Sequence, residues 1–210
     1  MSKIERFKRK DATYDTMEIE YDIDRITGKE HVLTVSIFNP DTGDVKLKFY
    51  YSNDKINKIE AFSIGHDVDE SYIGKPTAVY KYSDTSNGFI RCEFVYMRSE
   101  TKKYMTGVLD FKGNSSSDID SKLIESAHYL PDGVNIANII KWDSVDNIYN
   151  YTEYKIESSV HKVVISAKFS EDKVPTGIWK IHSKSLIDNK DIYITLDTVI
   201  GDFINDLVFG

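Results

Sequence analysis

The chain has 210 residues, of which 40% are apolar and 29% charged, with a formal net charge of −7. That length supports one large domain or two small ones with a sizeable core, and the composition excludes an intrinsically disordered chain. The negative charge sets the chain as a whole against phosphate backbones, so nucleic acid is not an expected partner, and the single cysteine, Cys92, excludes an intrachain disulfide and any multi-cysteine zinc site.

Residues 1–12 carry Lys3, Arg6, Lys8, Arg9 and Lys10 without a usable apolar face, and read as a basic flexible tail. Alternation at the two-residue period of strands then begins. Met17, Ile19, Tyr21 and Ile23 alternate with Glu18, Glu20 and Asp22, and Val45, Leu47, Phe49 and Tyr51 alternate with Lys46, Lys48 and Tyr50. The pattern predicts strands over 15–24, 30–38 and 44–52, separated by Thr27-Gly28 and by the turn Pro40-Asp41-Thr42-Gly43. A further strand is predicted over 57–64. Residues 65–76 are acidic and irregular, and strands resume over 77–83, 88–98 and 103–112. Fourteen Tyr, ten Phe and only four Pro suit such a chain.

After Gly113 the period changes. Ser117 with Asp120 reads as a helix N-cap and a first-turn carboxylate. Ile119, Leu123, Ile124 and Ala127 follow at helical spacing, and Pro131-Asp132-Gly133 ends the run, so a helix is predicted over 118–130. Val134 to Trp142 suits a short helix as well as a buried strand. Strands are predicted again over 147–157, 160–170, 177–184 and 190–198; in the last, Ile192, Ile194 and Leu196 alternate with Asp191, Tyr193 and Asp197. Val199, Ile200, Phe203, Ile204, Leu207 and Val208 form a helical stripe, weakened at Gly201 by about 1 kcal/mol relative to alanine.

The expected fold is therefore mainly β: an antiparallel β-sandwich, or two small β lobes, with one or two short helices. The expected divisions are the tail at 1–12, a β lobe at 13–113, a loop plus helix connector at 114–133 and a second β lobe with a short C-terminal helix at 134–210. A single large β domain is the alternative.

Few residues group in a way that suggests chemistry. His31, His66, His128, His161 and His182 are scattered, with no HxH or HExxH pair, and the chain contains no GxSxG, P-loop or GxGxxG. No cofactor and no catalytic residue is expected. His66, Asp67, Asp69 and Glu70 form the densest group of potential metal ligands. The segment lacks the glycine and distal glutamate of an EF-hand loop, and a solvated acidic turn is the simpler reading. Cys92 lies in the alternating run Ile90, Cys92, Phe94, Tyr96, where a buried thiol is expected.

The aromatic excess is more informative. Trp142, Tyr149, Tyr151 and Tyr154 lie within thirteen residues, and the strand period puts Tyr149 and Tyr151 on one face. Such rings serve either as an interface or ligand platform or as the core of the second lobe. Trp179 fits the core or the seam between sheets. MSKIERFKRK has no apolar stretch resembling a secretion signal, and no window approaches the roughly 18 apolar residues of a membrane span. Asn114-Ser115-Ser116 and Asn150-Tyr151-Thr152 match a glycosylation pattern that has no use without export.

These features lead us to expect a non-catalytic structural or protein-interaction β protein, located in a cytoplasm or built into a virion as a phage tail or baseplate-like subunit. Its expected partners are other protein chains, a second copy of itself among them. The alternative is a carbohydrate-binding or carbohydrate-active β-sandwich that uses exposed aromatic rings and acidic residues.

Overall fold

Among the described residues, each of the first twelve strands pairs with its neighbour in sequence. The computed structural model describes residues 1–62, 69–112, 120–158, 160–169, 178–184 and 191–197. Its strands are β1 (Ser2–Phe7), β2 (Met17–Ile23), β3 (Glu30–Phe38), β4 (Val45–Ser52), β5 (Lys55–Phe62), β6 (Pro76–Asp84), β7 (Ile90–Met97) and β8 (Lys103–Lys112). They continue with β9 (Asp120–Tyr129), β10 (Ile136–Asp143), β11 (Ile148–Glu157), β12 (Val160–Phe169), β13 (Ile178–Lys184) and β14 (Asp191–Asp197). Strands β1 to β12 form one sheet in sequential order, and β13 pairs antiparallel with β14 in a second. The protein is thus mainly β. Where alternation suggested a two-sheet sandwich or two lobes, the first twelve strands share one hydrogen-bonded ladder.

Turn chemistry sets the hairpins. Asn53 and Asp54 both take positive φ, 52° and 59°, between the paired residues Ser52 and Lys55. That is the two-residue turn whose twist matches antiparallel strands, and Asn and Asp tolerate it best after glycine. Between β3 and β4, Gly43 has φ +76° and lies 3.0 Å, measured from the place a Cβ would take, from the Tyr14 ring. A side chain there would meet both backbone strain and that ring.

Strands β2 to β8 and β11 to β14 lie within two residues of their predicted ends. Three segments differ. The predicted tail contains β1, which pairs with β2 from Ser2↔Asp22 to Phe7↔Met17. Its charges are matched across the pair, as in Arg6 with Glu18 at 2.8 Å, so no apolar stripe was needed to dock it. The predicted helix at 118–130, the connector of the two expected lobes, is strand β9 from residue 120 onward. It pairs with β8 on one side and β10 on the other. An isolated helix of about a dozen residues is marginal, whereas two flanking strands satisfy the backbone of β9 on both edges. The ambiguous run after Val134 is β10 for the same reason. Among the described residues the helical element is a single 3-10 turn, Glu70–Tyr72. The stripe at 199–208 lies outside the described residues.

Packing divides the chain into two compact units, Met1–Ser83 with Cys92–Tyr104, and Asp84–Arg91 with Met105–Gly210. The divisions between these units fall within β6, β7 and β8. In the first unit, Val35, Phe49, Ile59 and Tyr80 stand opposite one another across β3 to β6, and Ile37, Leu47, Ala61 and Ala78 form the adjacent row. Ile59, Ala61 and Ala78 are fully buried, as is Cys92 of β7. Burying a side chain of the size of Ile59 contributes about 1.5–3 kcal/mol. The other face carries Ser36, Lys48 and Glu60 in register. Glu60 accepts from the Tyr50 hydroxyl at 2.6 Å and from Lys58 Nζ at 2.9 Å. The second unit buries Met105, Leu109, Leu123, Ala127, Ile140, Tyr149 and Tyr151.

Candidate functional site

The four aromatic residues singled out by sequence do not share one surface. Trp142 of β10 stands directly opposite Tyr149 of β11, with ring centroids 4.7 Å apart and planes at 63°. Tyr149 is fully buried, and its hydroxyl donates to the Leu123 carbonyl at 2.8 Å. Tyr151 is also buried, and its hydroxyl donates to Glu153 Oε2 at 3.2 Å. Burial first, and the Glu153 carboxylate second, raise the Tyr151 phenol well above its ordinary range. Trp142 remains half-buried. Tyr154, three positions beyond Tyr151, belongs by alternation to the opposite face, where its ring meets His161 edge-on at 6.0 Å. Two of the four are thus core side chains, and Trp142 is the ring of that face that retains solvent access.

The face carrying Tyr151 also bears a polar row that sequence spacing did not reveal. His128, Asn138 and Glu153 stand opposite one another on β9, β10 and β11. Burial lowers the His128 pKa, so the imidazole is neutral near pH 7.

Of the acidic candidates, His66 and Asp67 lie outside the described residues. Asp69 accepts from Lys102 Nζ at 3.3 Å, and Glu70 opens the 3-10 turn. Among the described residues no three His, Cys, Asp or Glu side chains are grouped to hold a metal ion. Cys92 is buried, and burial pushes its thiol up to about 12, against the opposing effect of a hydrogen bond with Tyr82. A thiol so placed is protonated and inert at neutral pH.

A different feature emerges at the end of the sheet, in the segment whose charges resemble those of a tail. Among the described residues no strand pairs with β1 on the side away from β2. The Ile23 amide donates to the Met1 carbonyl at 2.7 Å, which sets the phase of the β1–β2 ladder. Hydrogen-bonded pairs alternate along an antiparallel ladder, so Lys3, Glu5 and Phe7 bond toward β2. Ser2, Ile4 and Arg6 therefore turn their amides and carbonyls outward. Ile4 and Phe7 are 53% and 42% exposed, on a strand of six residues.

The charges along this edge are organised. Lys3 Nζ contacts Glu5 Oε1 at 2.8 Å and Glu30 Oε1 at 3.0 Å, and lies 5.1 Å from the Tyr21 ring centroid. The Tyr21 hydroxyl donates to Glu5 Oε2 at 3.1 Å. Hydrogen bonds from Lys3 and Tyr21 lower the Glu5 pKa, and those to Glu5 and Glu30 raise that of Lys3. Beside β1, Arg6, Tyr14, Asp15, Glu18, Phe38 and Gly43 line a cleft of about 240 Å³. Periodicity alone could not have found this edge, because its outward-facing groups are backbone and its charges resemble those of a solvated terminus.

No protein-family model matches the chain, and no curated protein matches it in sequence.

Proposed function

We propose that this chain is a non-catalytic structural or protein-interaction β protein that docks to other protein chains by strand pairing. A virion particle, with a phage tail or baseplate-like subunit as the closest analogy, is the setting we propose for it. The observation that supports this reading is the open edge of β1, where outward backbone groups lie beside the exposed Ile4 and Phe7. An extended segment added to such an edge gains main-chain hydrogen bonds, while neighbouring side chains select the partner. Charges on an edge discourage indiscriminate pairing, so an occupant must match them.

Position 4 allows a selective test. The Ile4 amide points outward, so Ile4→Pro removes a donor from the edge without breaking a bond to β2. The expected result is that wild-type chain migrates in an assembly in its native lysate and Ile4→Pro does not, while the two have the same circular dichroism. Equal migration of both would overturn docking through β1.

One observation favours a second reading. The half-exposed Trp142 ring is held edge-on against Tyr149, and a fixed aromatic ring can stack on a sugar as well as on a protein side chain. Saturable binding to a glycan array, lost in Trp142→Ala, would establish the carbohydrate alternative.

A further inference from the structure

We propose that the occupant of the β1 edge is β1 of a second copy, paired antiparallel about a two-fold axis at Ile4. This rests on the reading of β1 as a docking edge and names its partner. The argument is one of parity and charge. Only Ser2, Ile4 and Arg6 present outward backbone groups, so a partner strand identical to β1 must pair even-numbered residues with even-numbered ones. Three symmetric registers meet that condition with overlap of more than one pair. One, centred on residue 3, places Lys3 opposite Lys3. Another, centred on residue 5, places Glu5 opposite Glu5. Both set like charges directly across the pair, which is destabilising.

The register centred on Ile4 does the opposite. It sets Lys3 opposite the Glu5 of the other copy, twice by symmetry, and at the non-hydrogen-bonded positions where facing side chains approach most closely. It also places Ile4 against Ile4, Ser2 against Arg6 and Met1 against Phe7, so exposed apolar side chains meet one another. Met1, Ile4 and Phe7 are all more than two-fifths exposed in the single chain. Ser2, Ile4 and Arg6 of each copy then exchange amide-to-carbonyl bonds with Arg6, Ile4 and Ser2 of the other. The symmetry closes the contact, giving a dimer with one continuous sheet and no free β1 edge. The charges that turn away an unmatched strand are the ones that select this register.

The test is reciprocal charge reversal read by light scattering over a concentration series. Wild-type chain should rise to twice the mass of one chain as concentration increases. Lys3→Glu alone sets Glu against Glu, and Glu5→Lys alone sets Lys against Lys, so each should remain a single chain. An equimolar mixture of the two restores both opposite-charge pairs and should recover the doubled mass. As a second measurement, Ile4→Cys should form an interchain disulfide on mild oxidation, since facing residues in a hydrogen-bonded pair lie about 5.5 Å apart at Cα, within disulfide range. Ser2→Cys, facing Arg6, should cross-link far less, and the buried Cys92 does not compete.

A wild-type chain of single mass throughout the series would overturn self-pairing, while docking of another chain is still decided by the Ile4→Pro comparison. A dimer that survives both single reversals would overturn this register and assign dimerisation to another surface. Efficient cross-linking through position 2 in place of position 4 would overturn it as well.

Discussion

Trp142 and Tyr149 face each other across β10 and β11, their rings meeting edge-on with centroids 4.7 Å apart, and the Tyr149 hydroxyl is anchored on the Leu123 carbonyl at 2.8 Å. One partner is fully buried and the other half-buried, so the pair connects the core of its unit to the surface. The two residues should respond differently to truncation. Tyr149→Phe leaves a buried carbonyl without its donor and should cost about 1–2 kcal/mol. Tyr149→Ala combined with Tyr151→Ala should cost more than about 4 kcal/mol, since both rings fill the core. Trp142→Ala should cost less than that double change. Urea denaturation of the variants measures all three.

Arg98 is buried at 8% exposure; its Nε has no hydrogen-bond partner among the described residues, and its guanidinium lies 5.1 Å from the Tyr104 ring centroid. A buried polar atom without a partner carries a desolvation cost, while the ring contact and the packed stem return part of it. Arg98→Met keeps the stem and removes the polar atom, so its stability should equal the wild type or exceed it by about 1 kcal/mol. Arg98→Ala removes the stem too and should lose about 1–2 kcal/mol. Thermal melts of the pair separate packing from charge.

The first unit should be sensitive to alkali. Burial raises the Cys92 thiol from its ordinary value near 9 to about 12, and burial likewise raises the phenols of Tyr80, Tyr82 and Tyr96. A folded-state pKa above the unfolded one means stability that is complete below the unfolded value and lost as pH rises toward the folded one. Native chain should therefore resist a thiol reagent at pH 8 and react once unfolded. Its urea midpoint should fall as pH rises above about 9, where the unfolded thiol begins to ionise.

His128 gives the opposite sign on the acid side. Burial lowers its pKa below the ordinary 6.5, so below that pH the unfolded chain binds a proton that the folded chain excludes. Stability should decline as pH falls through 6.5 toward the folded-state value. Replacing the imidazole, as in His128→Gln, should flatten that part of the urea-midpoint profile. An unchanged profile would show that other groups set the acid limit.

Alternation alone determined that this chain is built of strands. Lys46 falls on the wet side and Phe49 and Ile59 on the dry one because a strand shows its two faces to different surroundings at every second residue. Turn chemistry was nearly as legible, since Gly43 occupies the positive φ that the Pro40-Asp41-Thr42-Gly43 signal implied. Pairing was not legible. Leu123, Ile124 and Ala127 fit a helical stripe and a strand equally well, and β9 is a strand because β8 and β10 lie on either side to take its hydrogen bonds. The same holds for β1, whose charged residues look like a solvated tail until Glu18 of β2 and Glu30 of β3 are brought within reach of them. Tertiary structure also decided that Tyr149 and Tyr151 belong to the core and that Tyr154 is on the other face. Local sequence encodes the period of a segment. Which segment supplies its hydrogen-bond partners depends on residues far away in the chain.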